Sequence, residues 1–516
     1  MAKDEVEAVK WYRKAAEQNY AGAQLNLGDC YMNGRGVVKD EVEGVKWWRK
    51  AAEQNDAVAQ FSLGNCYHEG QGVARDYAEA VKWFRKAAEQ NNALAQYNLG
   101  NGCFYAQGVA KDEAEVVKWF RKAAEQNLAE AQYNLGVCYH EGQGVARDYA
   151  EAVKWFRKAA EQNFATAQFN LGICYYNGQG VAKDYVEAYK WNLLALAQGC
   201  EGARQNVRTL EVRMTREQLA AGQRLAGNFF RAKAEKGDAQ SQYELGKAFA
   251  LGSLGVAKDE LEAVKWWRKA AEQNDASAQY NLGCCYAKGQ GVATDQVEAV
   301  KWYRKAAEQN FAAAQGSLGW CYGMGQGVTK DEAEAVKWLR KAAEQNDAAS
   351  QYNLGNCYNF GRAVAKDDLE AVRWYRKAAG QNHAQAQCNL GVCYATGQGV
   401  EKDYTEAVKW YRKAAEGGAT NAFSALAWIL ATSENSDIRD GSNAVVFAEK
   451  AVAATNRKTP AELDTLAAAY AEAGQFEKAV STEQAAIALL QTEGEKNDYR
   501  TRLKLFEAHL PYRAKD

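Results

Sequence analysis

The tryptophans of this chain recur at a fixed interval, and that interval limits the folds the chain can adopt. Within two series, each tryptophan follows the previous one by 36 residues. A constant period between about 20 and 50 residues is the signature of a solenoid or a related array of stacked units. Proline occurs only twice and glycine 44 times, which favours short helices joined by tight turns. The two series are Trp11, Trp47, Trp83, Trp119, Trp155 and Trp191, and then Trp266, Trp302, Trp338, Trp374 and Trp410.

Each unit carries the start and stop signals of a first helix, as residues 56–91 illustrate. This helix is predicted from about 57 to 68, with Asp56 capping its N-terminus and Gly70 just past its end. Ten units follow the pattern, and they begin at Tyr20, Asp56, Asn92, Leu128, Phe164, Asp238, Asp275, Phe311, Asp347 and His383.

A second helix follows a glycine-bearing turn. Asp76 opens it, and Glu79 three residues later predicts a capping box, in which each side chain bonds the other residue's backbone N–H. The helix runs to about Glu89, after which Asn91 can take the left-handed conformation that ends it. No alternation of β-branched residues indicates a strand. The predicted fold is therefore all-α, a solenoid of helix–turn–helix repeats.

The phase of the pattern divides the chain into five predicted segments. The stretch from 200 to 237 keeps the length of a unit but loses most of its pattern, with Phe229 near the tryptophan place. We interpret it as a degenerate repeat that joins two arrays. The segments are a half repeat with only a second helix (1–19), a five-repeat array (20–199), the junction (200–237), a second five-repeat array (238–418) and C-terminal tetratricopeptide-like helices with a cap (419–516).

The two ends of the chain are predicted to differ. Since residues 1–19 lack a first-helix partner, we expect that the natural protein extends further, or that this helix frays or pairs with a second molecule. Near the other end, four apolar residues predict the inner face of an amphipathic cap. They are Leu503, Leu505, Phe506 and Leu510.

The repeated segments LG-x-CY-x-x-GQGV-x-KD and EAVKW-x-RKAAEQ resemble the Sel-1-like repeat family, a relative of the tetratricopeptide repeats. The resemblance covers about residues 1–418 and recurs ten times in phase. Residues 463–489 resemble a tetratricopeptide unit instead, with Leu466, Tyr470, Gly474, Ala479 and Ala486 at that motif's spacing. The resemblance implies a right-handed α/α superhelix that acts as an adaptor or scaffold in multi-protein assemblies.

The two faces of the first helix vary differently from unit to unit. At 100° per residue, positions 4, 8, 11 and 12 cluster on one side and hardly vary, which predicts the packed face. Positions 3, 7, 10 and 14 lie opposite, and asparagine dominates position 7. In related superhelices the first helices line the concave groove. The candidate peptide-binding stripe is Asn26, Asn98, Asn134, Asn170, Asn281, Asn353 and Asn389.

Two interpretations of this asparagine stripe stay open. An amide both donates and accepts, so the stripe is suited to gripping the backbone of an extended peptide. Alternatively, each asparagine hydrogen-bonds the neighbouring repeat or water. The tryptophans with their flanking cations superficially resemble a base-stacking surface. Acidic and basic residues balance, however, and the formal net charge is −1, so we expect no nucleic-acid partner. We therefore assign the tryptophan indoles to the core between repeats.

The cysteines predict core positions rather than disulfides. Eight of the twelve occupy one place in their units. Packed helices lie about 8–10 Å apart, too far for a disulfide ladder. One subfamily of the Sel-1-like repeats is rich in cysteine, includes β-lactamase-like members and carries a cysteine pair in each repeat. The residues at the matching positions of this chain are alanine and glutamine, as at Ala88 and Gln96. The eight cysteines of this chain that share one place in their units are Cys30, Cys66, Cys138, Cys174, Cys285, Cys321, Cys357 and Cys393.

No motif for catalysis, phosphate binding or zinc binding occurs in the sequence, so we expect no cofactor and no enzymatic activity. We also expect no membrane insertion, because no apolar run approaches about 20 residues. The predicted function is a non-enzymatic scaffold or adaptor that binds proteins or peptides in a concave groove. The alternative function is that of a cell-envelope enzyme or glycan-binding protein like the cysteine-rich subfamily. A third possibility is an engineered or recently duplicated array, which would explain why the units are so alike.

The expected location is cytoplasmic, because free thiols suit a reducing compartment and the sequence as written lacks a signal peptide. A periplasmic or secreted location applies if an N-terminal signal has been lost.

Overall fold

The computed structural model describes residues 2–108, 112–454 and 459–514, and within them the chain forms 28 α-helices and no strand. The all-α prediction is confirmed. The helices are α1 (Ala2–Glu17), α2 (Ala21–Asn33), α3 (Glu41–Glu53), α4 (Ala57–Glu69), α5 (Tyr77–Glu89), α6 (Ala93–Phe104), α7 (Glu113–Glu125), α8 (Ala129–Glu141), α9 (Tyr149–Glu161), α10 (Ala165–Asn177), α11 (Tyr185–Ala197), α12 (Glu201–Arg213), α13 (Arg216–Glu235), α14 (Ala239–Leu251), α15 (Glu260–Glu272), α16 (Ala276–Lys288), α17 (Gln296–Glu308), α18 (Ala312–Met324), α19 (Glu332–Glu344), α20 (Ala348–Phe360), α21 (Asp368–Gly380), α22 (Ala384–Thr396), α23 (Tyr404–Glu416), α24 (Thr420–Thr432), α25 (Gly441–Ala454), α26 (Pro460–Glu472), α27 (Phe476–Leu489) and α28 (Glu493–Glu507).

The helices group into two compact units. One contains residues 1–235 and 251–258, and the other contains residues 236–250 and 259–516. Through the repeats of each unit, a first helix packs on the second helix of its own repeat, and that second helix packs on the next first helix. This is the contact pattern of a helical solenoid. The predicted five-segment division and the handedness of the superhelix stay predictions.

The local signals that begin and end the first helix act as predicted. At α4 the Asp56 carboxylate accepts the Ala59 N–H at 2.8 Å, and Gly70 ends the helix in the left-handed conformation with φ +76°. The helix runs one residue further than predicted, to Glu69.

The capping box of the second helix is only half formed. At α5 the Asp76 carboxylate accepts the Glu79 N–H at 3.0 Å, but the Glu79 carboxylate binds the Lys82 ammonium at 2.9 Å. The Asp76 N–H that a capping box would use donates instead to the Tyr67 carbonyl at 2.9 Å, so it is not available to the Glu79 carboxylate. Asn91 ends α5 with φ +66°, as predicted, and asparagines end most second helices of the repeats in the same conformation.

A buried glutamine joins three helices at most repeat boundaries. Gln96 of α6 is almost fully buried, and its amide N–H donates to the Ala88 carbonyl at 3.1 Å and to Asn91 Oδ1 at 3.2 Å. Its Oε1 accepts from Gln126, at the end of α7, at 2.8 Å. A buried amide is costly unless both ends are paired, and here both are. The equivalent glutamines are Gln24, Gln60, Gln132, Gln168, Gln242, Gln279, Gln315, Gln351 and Gln387, all buried.

The tryptophan column lies mostly in the core between repeats, as predicted. Trp83 packs with Ala59, Leu63 and Cys66 of the first helix before it. The cations are not simply solvated outside this core, because the Lys86 ammonium lies 4.2 Å from the centre of the Trp83 ring. A lysine covers most of these indoles in the same way, which adds a cation–π attraction to the packing.

The irregular segments differ from two details of the sequence interpretation. In the junction, Phe230 of α13 is fully buried, while Phe229 is half-buried with its ring 5.8 Å from that of Trp191. At the C-terminal end, Phe506 is fully buried as predicted, but Leu510 is 53% exposed. Leu510 was expected on the inner face of a helix, and that prediction is wrong because α28 ends at Glu507.

Candidate functional site

The predicted asparagine stripe lies on the first helices, and most of its members bond the preceding repeat. Six of the seven asparagines are half-buried and Asn26 is exposed. Asn98 and Asn389 each donate to the asparagine 33 residues earlier at 3.2 Å, and Asn134 does so at 3.4 Å. The acceptors, at position 10 of the preceding unit, are Asn65, Asn356 and Asn101.

Two further asparagines of the stripe bond a tyrosine at position 6 of the preceding unit. Asn170 donates to the Tyr133 hydroxyl at 3.2 Å. Asn281 hydrogen-bonds Tyr243, which opposes the rise that burial causes in the pKa of that tyrosine. For these five asparagines the structure therefore contains the inter-repeat bonding that the sequence left open as an alternative.

Asn353 differs from these five. Within the described residues its amide makes no hydrogen bond. The cause lies in the preceding unit, where position 10 is Trp320 and position 6 is Gly316, so neither an amide nor a hydroxyl is present to accept. Asn26 likewise makes no hydrogen bond within that part of the chain.

Hollows open beside several stripe residues on what we call the first-helix face, the surface formed by positions 6, 7, 10 and 14 of the first helices. A hollow of about 180 Å³ is lined by Asn98, and one of about 200 Å³ by Asn134. Two larger hollows, of about 430 and 460 Å³, meet at Asn353 and Trp320. The larger pair has the size of ordinary ligand pockets.

The larger hollows adjoin an exposed apolar patch. Trp320 is 47% exposed, Met324 is 61% exposed and Phe360 is 62% exposed. Trp320 and Met324 stand one turn apart on α18, and Phe360 is the last residue of the next first helix, α20. Other units place residues such as Asn65 or Glu69 at these positions. Large apolar side chains grouped on a surface mark interaction sites more often than isolated ones do.

The wall of the 430 Å³ hollow contains a hydroxyl without a partner. Ser350 of α20 is 1% exposed, and its Oγ has no hydrogen-bond partner in the described structure. The hydroxyl faces Gly316, since a Cβ added to that glycine would lie 2.5 Å from Ser350 Oγ. Tyr280 also lines this hollow, and burial raises the pKa of its hydroxyl to about 12.

The eight cysteines that share one place in their units lie in the core, as predicted. Six of them are buried, and Cys30 and Cys357 are half-buried. Burial raises the pKa of Cys66 to about 12 and that of Cys138 to about 11. At the positions of the disulfide in the cysteine-rich subfamily, the Gln96 amide donates to the Ala88 carbonyl. A hydrogen bond thus joins the two helices there.

We expect these thiols to react slowly in the folded chain. Attack on a disulfide reagent requires the thiolate, and burial disfavours the thiolate and blocks access. Ellman's reagent at pH 8 should modify at most the four half-buried cysteines, Cys30, Cys200, Cys284 and Cys357, within minutes. In 6 M guanidinium all twelve should react. Rapid modification of more than four thiols in the folded chain would contradict the core assignment.

Neither a metal centre nor a membrane-spanning helix occurs in the described part of the chain. No group of three or more His, Cys, Asp or Glu side chains is placed there to hold a metal ion. None of the helices described combines the length and the apolar character that crossing a membrane requires.

Comparison with known proteins places these features in a family. The family model described as Sel1 repeat matches residues 1–20, 21–56, 57–92, 93–128, 129–164, 165–200, 239–275, 276–311, 312–347, 348–383 and 384–418. No curated protein matches the chain.

Solved structures of repeat proteins resemble it as well. A protective antigen present in uropathogenic Escherichia coli strains, which displays an SLR fold, is 34% identical over 94% of this chain and 98% of its own, with a TM-score of 0.41. A Sel1 repeat protein from Oxalobacter formigenes is 31% identical over 67% of this chain and 88% of its own, also with a TM-score of 0.41.

Proposed function

The chain belongs to the Sel1 repeat family, and from that premise we propose that it is a non-enzymatic adaptor that binds partner proteins or peptides along its first-helix face. Repeat folds of this family are typical of protein-interaction proteins and generally act as scaffolds. The observation that carries the proposal is the exposed apolar patch of Trp320, Met324 and Phe360 beside two hollows.

The chemistry of this face suits a peptide in an extended conformation. Hollows accept side chains, and amide groups such as that of Asn353 both donate to and accept from a peptide backbone. The balanced charge of the chain gives a polyanion no particular attraction, so we propose protein rather than nucleic-acid partners.

The cytoplasm is the location that we propose, on the basis of the free thiols. Fractionation of the host cell would test it, and recovery of the chain in a periplasmic or secreted fraction would contradict it.

The proposal predicts that acidic residues on the first-helix face abolish peptide binding. Peptides would be selected from a random 12-residue display library against the whole chain, and their affinities measured by fluorescence polarisation. The triple variant Trp320→Glu, Met324→Glu and Phe360→Glu should bind at least tenfold more weakly, because it places unpaired charge on the apolar contact surface. It should fold normally, since all three side chains are substantially exposed.

A matched control comes from the second helices of the same compact unit. Leu261, Val297 and Leu369 are each 55% exposed, and their replacement by glutamate adds the same charge away from the first-helix face. This control should leave peptide affinity unchanged. Selection of no peptides, or an equal loss of affinity in both triple variants, would count against the adaptor proposal.

A further inference from the structure

The repeat from 311 to 346 lacks a ring that most other repeats contain. Position 6 is aromatic in seven of the ten units and glycine only here. In five of these seven repeats the ring packs on a ring of the second helix of its own unit, as where the Tyr97 and Phe120 rings lie 6.0 Å apart. It also reaches the start of the next unit, as where the rings of Tyr280 and Phe311 lie 5.5 Å apart. At Gly316 the corresponding space belongs to the hollow of about 430 Å³.

The space of that missing ring is lined by two polar groups without partners, and one of them is placed to bond a ring hydroxyl. Asn170 shows what a position-7 asparagine does when the preceding unit has a tyrosine, because it donates to the Tyr133 hydroxyl at 3.2 Å. Asn353 occupies the equivalent position next to Gly316, and its amide is unbonded within the described residues. Ser350 adds a buried, unpaired hydroxyl that faces the same space. Asn353 therefore lies where it would bond the phenol oxygen of that ring, whereas Ser350 Oγ lies at the other end of the space, beside the place of the missing Cβ.

The remaining walls favour an aromatic occupant attached to a chain. Tyr280 and Trp320 supply aromatic surface, against which a ring packs by edge or offset contact. The charged groups at the rim, Lys288 and Asp347, balance each other, and the Asp347 carboxylate already caps α20 by accepting the Ser350 N–H at 2.7 Å. Outside the hollow, the apolar patch continues over Met324 and Phe360, so that residues flanking the ring gain contacts too.

We propose that the hollow beside Gly316 binds a tyrosine side chain of a partner peptide, whose hydroxyl hydrogen-bonds Asn353. The tyrosine replaces the ring that the repeat itself lacks. This inference rests on the proposed adaptor function for the peptide, but the site can be tested with a tyrosine derivative alone.

The first experiment uses N-acetyl-L-tyrosinamide and saturation-transfer NMR with the full chain. The compound should bind with millimolar affinity, and N-acetyl-L-phenylalaninamide should bind about fivefold more weakly, since it lacks the hydroxyl. The double variant Gly316→Tyr with Ser350→Ala restores the tyrosine and alanine found at these positions elsewhere, as at Tyr97 and Ala131. It should fill the hollow, keep or raise the thermal midpoint and abolish the signal.

Single variants distinguish the roles of the polar groups. Asn353→Ala should reduce the preference for tyrosinamide over phenylalaninamide. Ser350→Ala, at the Cβ end of the space, and Asn98→Ala, whose amide bonds Asn65, should not change it. Equal binding of the two compounds, or full binding to the double variant, would overturn the tyrosine site.

Selected peptides separate this site from the adaptor function. Some selected peptides could bind the triple glutamate variant more weakly than the unsubstituted chain and yet contain no essential tyrosine. That result would support the adaptor function and refute the tyrosine site. Tyrosinamide binding without any selected peptide would retain the site and count against the adaptor.

Discussion

Replacement of Gly144 by alanine is expected to destabilise its repeat by about 3–5 kcal/mol, one of the largest effects available to a single methyl group in this chain. Gly144 has φ +68°, a conformation that disfavours a Cβ, and a Cβ there would lie 2.0 Å from the Glu113 carbonyl oxygen. That carbonyl belongs to the first residue of α7, in the preceding repeat. The loop would have to move away from the helix on which it rests.

Gly199 provides the matched control for this substitution. Its φ is +83°, equally unfavourable for alanine, yet a Cβ there would meet nothing within 4 Å. Gly199→Ala should therefore cost only about 1–2 kcal/mol, the conformational part alone. Urea denaturation followed by circular dichroism, with hydrogen exchange to locate the change, would measure both. Equal effects would show that the contact with Glu113 contributes nothing.

Replacement of Glu483 by glutamine is expected to stabilise the C-terminal helices at alkaline pH. Glu483 of α27 is fully buried beside Asp464 of α26, and Arg502 of α28 binds Asp464 at 2.6 Å. Burial, and then the charge of Asp464, raise the pKa of Glu483 to about 9. If ionised, Glu483 would have two buried oxygens without hydrogen-bond partners, whereas in its protonated form it donates to Asp464.

The direction of the pH effect follows from the two states. The unfolded chain releases the Glu483 proton near pH 4.5, while the folded chain keeps it to about pH 9. Between these values the unfolded state binds fewer protons, so the stability that Glu483 provides is complete below pH 4.5 and is lost as the pH rises through 9. The loss should be about 1 kcal/mol per pH unit in this interval.

Hydrogen exchange of residues 460–507 between pH 6 and 9, corrected for intrinsic exchange rates, would measure this dependence. In Glu483→Gln the slope should nearly disappear, because the amide donates to Asp464 without titrating. Glu477→Gln, an exposed site on the same helix, should leave the slope unchanged. An unaltered slope in Glu483→Gln would exclude Glu483 as its source.

The parts of the structure that repeat were predictable from sequence. Caps such as Asp56, turn glycines such as Gly70 and the packed face of Leu63 and Cys66 depend on neighbours within one unit, and ten copies make the pattern plain. The bonding of Gln96 escaped prediction although its position scarcely varies. That constancy was the available signal, because a polar residue kept at a core position implies a fixed partner.

The candidate site was less predictable because it depends on side chains one repeat apart. Asn98 and Asn353 occupy the same position, yet Asn98 bonds Asn65 while Asn353 faces Trp320 and Gly316. The distinction requires the stacking of consecutive first helices, which fixes the residue 33 positions earlier as the neighbour. The burial of Glu483 likewise depends on the packing of three helices and has no local signature.

The glutamine that joins three helices at most boundaries makes the repeats interchangeable neighbours. Every junction of this type uses the same amide pairs, as Gln96 with Gln126 and Gln132 with Gln162 show. A block of 36 residues can therefore be duplicated, deleted or moved within an array while each new boundary finds its partners ready. Evolution can lengthen such an array without redesigning its interior, but the surface beside Gly316 and Trp320 moves intact only together with the adjacent repeats that contain Tyr280 and Asn353.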